Sequence, residues 1–547
     1  MPEGFALSVD AVYGTRAEAF YRDGAWRTGL LVDQLDEWAA AEPDAICLHE
    51  GDVSLRVGEL RDRSVQLAKR LRVLGVAAGD RVAVQLPNWH EVALVFLAAQ
   101  RLGAIMVPIM PIYRDHEVRH VLHVSGASVL VTTPVCRGFS HRDMVYRIRP
   151  DLPALREVLY ARPASPLACA ELHVDFPLGA TAQSAPLPPP PSPDAPALMV
   201  FTSGTEAGAK GCTHTWNTFA FSVRGIAEQC DFGPGDAELV PSPVTHTTGL
   251  IGVLKPLMYR GRSCLMPVWD PVEALELIRR HRCTHLMAAT VFAQGLLDAF
   301  DPATHDTTSL RYFLCGGAPV PESLVRRFSE RLGGPRMLTM YGQSEIVNGS
   351  LARPADAPGR VSSSDGSPLR GVELRVVDAA GRDVAHGTEG EILYRGPGGM
   401  LGYWGNPEAT ARVVLADGWR HTGDCGYLDA DGYLRITGRV KEMVIRGGMN
   451  ISILEVEELI RSHPEVNDVA VLAVPDERLG ERLGAAVVAS GSLDSASLLR
   501  YLSEEQRIAK QKLPEVLHFM GELPRTATGK VQRFRILEEI MSAQAAP

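Results

Sequence analysis

The sequence predicts an α/β protein with a large N-terminal domain of two parallel-sheet subdomains and a small β-barrel-like subdomain, followed by a small α+β C-terminal domain. Three observations lead to this prediction. The 547 residues exceed the length over which one hydrophobic core keeps growing. Short apolar runs alternate with helical stretches from residue 45 to residue 314, as in a parallel sheet covered by helices. Beyond Gly371 this pattern changes to strands alone.

The N-terminal half supplies the elements of the parallel sheets. We expect strands at residues 82–86 and 129–131, and helices at residues 57–74 and 91–101. Seven prolines lie within residues 184–196, so this segment is neither a helix nor a central strand. A strand-like run at residues 198–201 follows at once. We therefore interpret the proline-rich segment as a loop between two subdomains of one large unit.

The remainder of the chain predicts a small β subdomain and a separate tail. Residues 372–377, 390–394 and 433–437 read as strands bounded by Gly, Asp and Pro, which indicates a small antiparallel barrel or sheet. The tail after Gly438 is long enough for a domain of its own. Its predicted helices are residues 454–462 and 497–511. Its predicted strands are residues 469–474 and 485–489. We expect the domain boundary to separate residues 1–440 from residues 441–547.

The composition describes an ordinary globular protein, with 46% hydrophobic residues and a net charge of −10. The acidic balance argues against general binding of nucleic acid or of anionic membranes. Nine cysteines are scattered without a C-x-x-C pair, which fits a reducing compartment. Neither a signal peptide nor a run of about 18 apolar residues is present. We expect a cytoplasmic protein without nucleic-acid or membrane partners, and its oligomeric state stays open between monomer and homodimer.

A loop rich in hydroxyls and glycines follows the predicted strand at 198–201 and reads TSGTEAGAKG over residues 202–211. Glycines let backbone N–H groups converge on an anion, while the hydroxyls and Lys210 add donors and charge, so the loop suits phosphate. Its spacing differs from the G-x-x-x-x-G-K-S/T loop, and a plain flexible turn is the structural alternative. Only 7 of the 55 basic residues are lysine, and Lys210, Lys441 and Lys530 all lie in Gly-rich or charge-dense motifs.

Five further motifs follow in a fixed order along the chain. They are GGAP at 316–319, YGQSE at 341–345, WRHTGD at 419–424, GRVKE at 438–442 running on to GGMNI at 447–451, and LPRTATGK at 523–530. Together with the loop at 202–211, this set resembles the adenylate-forming superfamily, which includes acyl-CoA synthetases, firefly-type luciferases and the adenylation domains of peptide synthetases. The resemblance covers essentially the whole chain and indicates the acyl-CoA synthetase branch.

The resemblance implies a nucleotide site for ATP. Its expected residues are Thr202, Ser203, Gly204, Thr205, Lys210, Gly316, Gly317, Ala318, Pro319, Tyr341, Gly342, Gln343, Asp424 and Arg439. Asp424 would accept hydrogen bonds from the ribose hydroxyls, because an ionised carboxylate is an acceptor only. Glu345, beside Ser344, would hold Mg²⁺, which favours one or two carboxylates plus phosphate oxygens. The structural alternatives are a turn-forming aspartate, a solvated glutamate and, for Tyr341, an ordinary core residue.

The resemblance also implies a reaction in two steps, with Lys530, Glu345 and Ser344 as catalytic residues. A carboxylic acid and MgATP would give an acyl-adenylate and pyrophosphate, after which a thiol displaces AMP. The Lys530 ammonium would offset the repulsion between the two anions. The mobile C-terminal domain would then turn about Lys441. Its Gly447 and Gly448 would line a channel for the pantetheine of coenzyme A or of a carrier protein.

The resemblance implies an acyl pocket near His246, Thr247 and Gly249, although a lone histidine is equally compatible with a structural role. Members of the superfamily that activate amino acids usually carry an aspartate in this region, and none lies between residues 240 and 253, which argues against an amino-acid substrate. Small residues leave room for a bulky, alicyclic or natural-product-derived acid; they are Thr247, Thr248, Gly249, Gly316 and Gly317. His214 and His421 are weaker candidates for a role in the site.

Two departures from the family pattern lie in the phosphate loop. Glu206 stands where a neutral residue is usual and Ala209 where proline is usual, which predicts slow ATP turnover or an unusually mobile loop. The leading hypothesis is an acyl-CoA ligase. One alternative is an acyl-AMP ligase that loads an acyl carrier protein. A second is a catalytically silent nucleotide-binding relative, against which the presence of Lys530, Asp424 and Glu345 argues.

Overall fold

The computed structural model describes most of the chain. The described residues are 8–162, 172–173, 186–202, 209–316, 320–378, 380–439, 443–447, 449–491, 493–524, 531 and 533–545. Contacts divide the chain into two compact units, of which the first comprises 1–111, 121–201 and 211–438. The second comprises Ile112–His120, Thr202–Lys210 and Arg439–Pro547. The predicted boundary between residues 440 and 441 lies outside the described residues and stays a prediction.

Helices are distributed through both units. The α-helices are Val9–Tyr13, Arg16–Arg22, Leu31–Ala41, Val57–Val73, His90–Leu102, Asp115–Ser125, His141–Ile148, Trp216–Gln229, Thr247–Tyr259, Pro271–His281, Thr290–Ala299, Glu322–Arg331, Pro358–Ser363, Pro407–Val413, Ile453–Arg461, Ser495–Arg500 and Arg533–Ala545. Arg149–Asp151 and Lys510–Lys512 are 3-10 turns, and Tyr501–Glu505 is a π-helical turn. Within the described ranges, no helix combines the length and apolar composition that crossing a bilayer requires.

A nine-stranded sheet carries the later motifs of the first unit. Its strands, in spatial order, are Ser367–Pro368, Ser350–Leu351, Arg336–Tyr341, Tyr312–Gly316, His285–Ala288, Ala237–Val240, Arg262–Leu265, Ile46–Glu50 and Val53–Arg56. The six inner strands are parallel, and antiparallel strands close both edges. Because adjacent parallel strands end at the same edge of a sheet, the segments after Gly316 and after Tyr341 start side by side.

An eight-stranded sheet carries the Ser/Thr/Gly-rich loop. Its strands, in spatial order, are Gly402–Tyr403, Gly211–Thr215, Pro196–Phe201, Ile105–Pro108, Arg81–Gln85, Val129–Thr132, Glu157–Tyr160 and Leu172–His173. The first two strands are antiparallel to their neighbours and the other six are parallel. The helix His90–Leu102 packs on this sheet and is buried at every residue, which agrees with its unbroken apolar run over residues 92–99.

The small β subdomain of the first unit is a four-stranded sheet with the order Glu373–Val377, Gly390–Arg395, Arg420–Leu428 and Leu434–Arg439. Its first three strands pair antiparallel. A separate hairpin joins Val135–Cys136 to Phe139–Ser140. One continuous hydrophobic core includes residues from both large sheets, among them Leu48 and Val84.

The second unit is built on a five-stranded sheet with its own apolar clusters. Its strands are Met449–Ser452, Met443–Arg446, Gly480–Ala489 and Val466–Asp476 in spatial order, with Val516–Phe519 parallel to Gly480–Ala489. These findings confirm the predicted α/β class with a large N-terminal and a small C-terminal part. The predicted helix at 497–511 is wrong beyond Arg500. There the chain forms the π-helical turn, and Arg507 adopts a left-handed conformation with φ +51°.

Candidate active site

The YGQSE motif forms a tightly folded loop after the strand Arg336–Tyr341. A Cβ on Gly342 would lie 2.1 Å from the carbonyl oxygen of Val347, so only glycine allows this close approach. Val347 itself has φ +59°, a left-handed conformation that is strained for a β-branched residue. Its N–H donates to the Gln343 carbonyl over 2.7 Å. Strain of this kind is frequent at functional sites, which supports the motif as part of one.

A hydrogen-bond network joins this loop to the WRHTGD motif. The Tyr341 hydroxyl donates to Asp424 Oδ2 over 2.7 Å. Gln343 Nε2 donates to the Tyr341 hydroxyl over 3.1 Å and to the Thr422 carbonyl over 3.2 Å. Both Tyr341 and Asp424 are buried, and burial together with the charge of Asp424 raises the pKa of Tyr341 well above its ordinary value. Tyr341 therefore stays a donor that orients the Asp424 carboxylate.

Glu345 is half-buried and is held by the segment that follows the small β subdomain's second strand. Its Oε1 accepts a hydrogen bond from the Tyr403 hydroxyl over 2.8 Å, and its carbonyl accepts from the Met400 N–H over 2.7 Å. The Glu345 carboxylate offers hard oxygen donors at this position. This donor set fits Mg²⁺, which prefers oxygen ligands.

His214 contacts the backbone of the same loop. Its Nε2 lies 2.7 Å from the Ser344 carbonyl oxygen and its Nδ1 lies 3.2 Å from Thr218 Oγ1. The side chain is fully buried, and burial lowers the pKa of His214 to about 4. The ring is thus neutral near pH 7, with the proton on Nε2 so that it can donate to the carbonyl. His214 is a support of the loop and not a proton-transfer group.

The ends of the Ser/Thr/Gly-rich loop are closed by a backbone bridge. The Thr202 N–H donates to the Lys210 carbonyl over 2.9 Å, immediately beyond the paired strands Pro196–Phe201 and Gly211–Thr215. Arg439 ends the strand Leu434–Arg439, and Gly447 has a positive φ of 54° that favours glycine. The other predicted site residues lie outside the described part of the chain; they are Ser203, Gly204, Thr205, Gly317, Ala318, Pro319, Lys441, Gly448 and Lys530, together with Glu206.

His246 precedes the helix Thr247–Tyr259. The side chain is exposed to solvent. A Cβ on Gly249 would lie 2.2 Å from the Pro243 carbonyl oxygen, and a Cβ on Gly316 would lie 2.8 Å from the Met340 carbonyl oxygen. Both positions therefore require glycine for packing against the backbone. Their expected place beside the acyl group stays a prediction.

Asn88 organises the segment before His246 and is absent from the sequence predictions. Nδ2 of this buried amide lies 2.9 to 3.1 Å from the carbonyl oxygens of Val240, Ser242 and Met266, which share its two N–H groups. Its Oδ1 accepts from the Val244 N–H over 2.9 Å. Asn88 follows a strand of the eight-stranded sheet, whereas its partners lie at the end of, or just after, two strands of the nine-stranded sheet. One side chain thus fixes the pocket segment across both sheets, and no local motif could have identified it.

A second carboxylate cluster is filled by an arginine. Glu50, His90 and Glu91 bring possible ligand atoms within 4.8 Å of one another. The Arg162 guanidinium donates to Glu50 Oε1 over 2.6 Å and to both oxygens of Glu91 over 2.6 Å. It also lies over the Trp89 ring, 4.3 Å from the centroid. Because the guanidinium already binds both carboxylates, we assign this cluster a structural role.

Comparison with known proteins identifies the family. The AMP-binding enzyme model matches residues 35–404 and the AMP-binding enzyme C-terminal domain matches residues 455–530. A medium-chain fatty-acid–CoA ligase of Escherichia coli K12 is 34% identical, covering 98% of this chain and 95% of that protein. A Mycobacterium tuberculosis CoA ligase named for an octahydroindenyl propanoate is 35% identical, covering 92% and 97%.

The fold comparison agrees. The structure of the amide bond synthetase McbA from Marinactinospora thermotolerans superposes with a TM-score of 0.82 at 27% identity, covering 93% of this chain and 99% of that one. The matches span both parts of the chain. The motif residues Tyr341 and Glu345 lie within the larger matched region, and Asp424 lies after its end. This chain belongs to the AMP-binding enzyme family, in the acyl-CoA synthetase branch of the adenylate-forming superfamily.

Proposed function

We propose that this acid–thiol ligase activates a bulky, hydrophobic carboxylic acid with ATP and transfers the acyl group to coenzyme A. In the first step a carboxylate oxygen attacks the α-phosphorus, and the bond from that phosphorus to the bridging oxygen breaks to release pyrophosphate. In the second step the CoA thiolate attacks the acyl carbon, and the carbon–oxygen bond to AMP breaks. The products are acyl-CoA, AMP and pyrophosphate.

The observation that carries this proposal is the network that joins Tyr341, Asp424 and Gln343. It places a buried, oriented carboxylate beside the loop that bears Glu345. A carboxylate held by its own donor is preorganised to accept hydrogen bonds from ribose hydroxyls. Glu345 is the proposed ligand of Mg²⁺, which when bound would neutralise phosphate charge. Lys530 remains the proposed cation for the attack on phosphate.

The proposed substrate class rests on the relatives. The two curated relatives described above are named for a medium-chain fatty acid and for an octahydroindenyl propanoate. Both acids are largely apolar. The accessible His246 at the start of the helix Thr247–Tyr259 is the proposed guard of the acyl pocket. Gly249 and Gly316 pack closely against backbone carbonyls, so the proposed acid class rests on the relatives.

A panel of carboxylic acids with the full-length protein tests the proposal. Pyrophosphate release should require an acid, and AMP and acyl-CoA should appear in equal amounts when CoA is added. Bicyclic and medium-chain acids should exceed acetate by at least about tenfold in kcat/KM, given the usual value of added methylenes. Acyl transfer only to a holo carrier protein would support the carrier-loading alternative. Formation of an amide would indicate an amine as the acceptor. Binding of ATP without turnover would indicate a catalytically silent relative.

Replacing Lys530 should separate the binding of ATP from the adenylation step. Lys530→Ala should abolish acid-dependent pyrophosphate exchange and leave the affinity for ATP within about twofold, because its charge is needed in the transition state. Lys510→Ala is the matched control, since Lys510 is exposed in the same unit. Full adenylation by the Lys530 variant would overturn its assignment.

A further inference from the structure

Tyr403 contacts the proposed metal ligand although no motif identifies it. Its hydroxyl donates to Glu345 Oε1 over 2.8 Å. Tyr403 lies on the short strand Gly402–Tyr403, which pairs antiparallel with Cys212 and Thr213 of the strand Gly211–Thr215. That strand directly follows the Ser/Thr/Gly-rich loop along the chain. A single side chain therefore connects Glu345 to the strand on which this loop ends.

The backbone holds Tyr403 in place. The Leu401 N–H donates to the Thr213 carbonyl and the Trp404 N–H donates to the Gly211 carbonyl, each over 2.8 Å. The tyrosine side chain is buried, with 5% exposure. A phenol hydroxyl is protonated at neutral pH, so Tyr403 acts as the donor in its hydrogen bond to the carboxylate.

The backbone on either side of the carboxylate is also fixed. His214 donates to the Ser344 carbonyl, and Met400 donates from its N–H to the Glu345 carbonyl. With the main chain held in this way, the remaining freedom of Glu345 lies in its side-chain torsions. The bond to Oε1 restricts those torsions and gives the carboxylate plane a defined direction, which is how groups behind metal ligands tune metal sites.

We propose that Tyr403 is a positioning residue for the Glu345 carboxylate and that it sets the affinity of the protein for metal-bound ATP. The proposal rests on the proposed function, in which Glu345 is a ligand of Mg²⁺. It adds a residue that acts only through Glu345. It also makes the placement of the carboxylate depend on the strand Gly211–Thr215, with which the strand of Tyr403 pairs.

Binding measurements with Mn²⁺ and ATP test this without any acid or CoA. Titration of Mn²⁺ and ATP together, followed by electron paramagnetic resonance, should show that Tyr403→Phe weakens metal–ATP binding by about 10- to 100-fold. Calorimetry with ATP in EDTA should show a change of less than about twofold. In the double variant with Glu345→Gln, binding should be no weaker than in Glu345→Gln alone, because the tyrosine acts through that carboxylate.

Tyr433→Phe is the matched control, because the buried Tyr433 also donates to a carboxylate, Asp356 Oδ1, over 2.7 Å. It should leave metal–ATP affinity unchanged. Wild-type affinity for metal-bound ATP in Tyr403→Phe would overturn the proposal, even if the variant lost as much thermal stability as the control. Additive losses of affinity in the double variant would also overturn it, as would wild-type affinity in Glu345→Gln. Since the assay contains no acid, its result is independent of whether acyl-CoA formation is found.

Discussion

Tyr341 and Asp424 are 83 positions apart in the chain, and the hydroxyl of the first donates to Oδ2 of the second over 2.7 Å. The bond joins the end of a strand in the nine-stranded sheet to the third strand of the small β subdomain. It brings two separate motifs into one site. The position of the acceptor carboxylate is thereby set by the large sheet.

Removal of this hydroxyl should weaken nucleotide binding. In Tyr341→Phe, Asp424 loses a donor worth about 1.5 to 3 kcal/mol, and we expect the dissociation constant of ATP to rise by about tenfold or more. Calorimetric titration with ATP measures this directly. Tyr433→Phe, which breaks a tyrosine–aspartate bond at another place, serves as the reference. Equal ATP affinity in both variants would contradict the role of the Tyr341 bond.

Adding a methyl group at Gly249 should damage packing without changing acid preference. The new Cβ would lie 2.2 Å from the Pro243 carbonyl, and overlap of this kind costs about 1 to 3 kcal/mol. Gly249→Ala should therefore lower the melting temperature and raise the KM for every acid alike. Gly233→Ala is the control, because a Cβ there meets no atom within 4 Å. A stable variant with altered acid selectivity would show instead that Gly249 faces the substrate.

The Glu50 cluster should make stability depend on acid pH. Burial alone would raise the pKa of Glu50, but hydrogen bonds from His90 and Arg162 outweigh it and lower the pKa from 4.5 to about 2. The folded carboxyl thus binds its proton less readily than the unfolded one. The stabilisation, about 3 kcal/mol, is complete above pH 4.5 and is lost as the pH falls toward 2.

Urea unfolding at a series of pH values checks this prediction. Between pH 6 and pH 2.5 the free energy of unfolding should fall more steeply for the wild type than for Glu50→Gln, which has no carboxyl to protonate. Glu276→Gln is the control, since Glu276 pairs with Arg279 at the surface and exposed pairs contribute little. Parallel pH profiles for the wild type and Glu50→Gln would exclude this contribution.

Lys255 should be essential for stability. Its Nζ lies 2.6 Å from Glu238 Oε2, with both side chains inaccessible to solvent, and 4.6 Å from the centre of the Phe232 ring. Lys255→Met leaves a buried carboxylate without this cation, which costs about 3 to 5 kcal/mol. Denaturant unfolding should show this loss, and the double variant with Glu238→Leu should recover much of it. Arg279→Met, at the surface, should change stability little.

The core elements could be predicted because a parallel strand that is buried on both faces needs a continuous run of apolar residues. The predicted strand at 82–86 is observed as Arg81–Gln85, and the predicted helix at 57–74 as Val57–Val73. The helix at 497–511 could not be placed correctly. Its polar residues favour a helix locally, whereas the chain breaks at Tyr501–Glu505 and turns at Arg507.

The motifs revealed the site, but not the residues that support it. Tyr403, His214 and Asn88 contact the site over 58, 130 and 156 positions, respectively, and pairings this distant leave no local signal. The scarcity of lysine pointed to Lys210, Lys441 and Lys530 in the motifs. The sequence did not predict that Lys255 forms a buried ion pair with Glu238, or that Lys512 forms one with Glu455.

The helix His90–Leu102 has no side that faces water, and the residues around it join one continuous interior with both large sheets. Opening one sheet would therefore expose core residues that also pack against the other sheet. The first unit should melt in a single cooperative transition, and a fragment cut within it, such as in the proline-rich segment, should lose the folded state of both halves together.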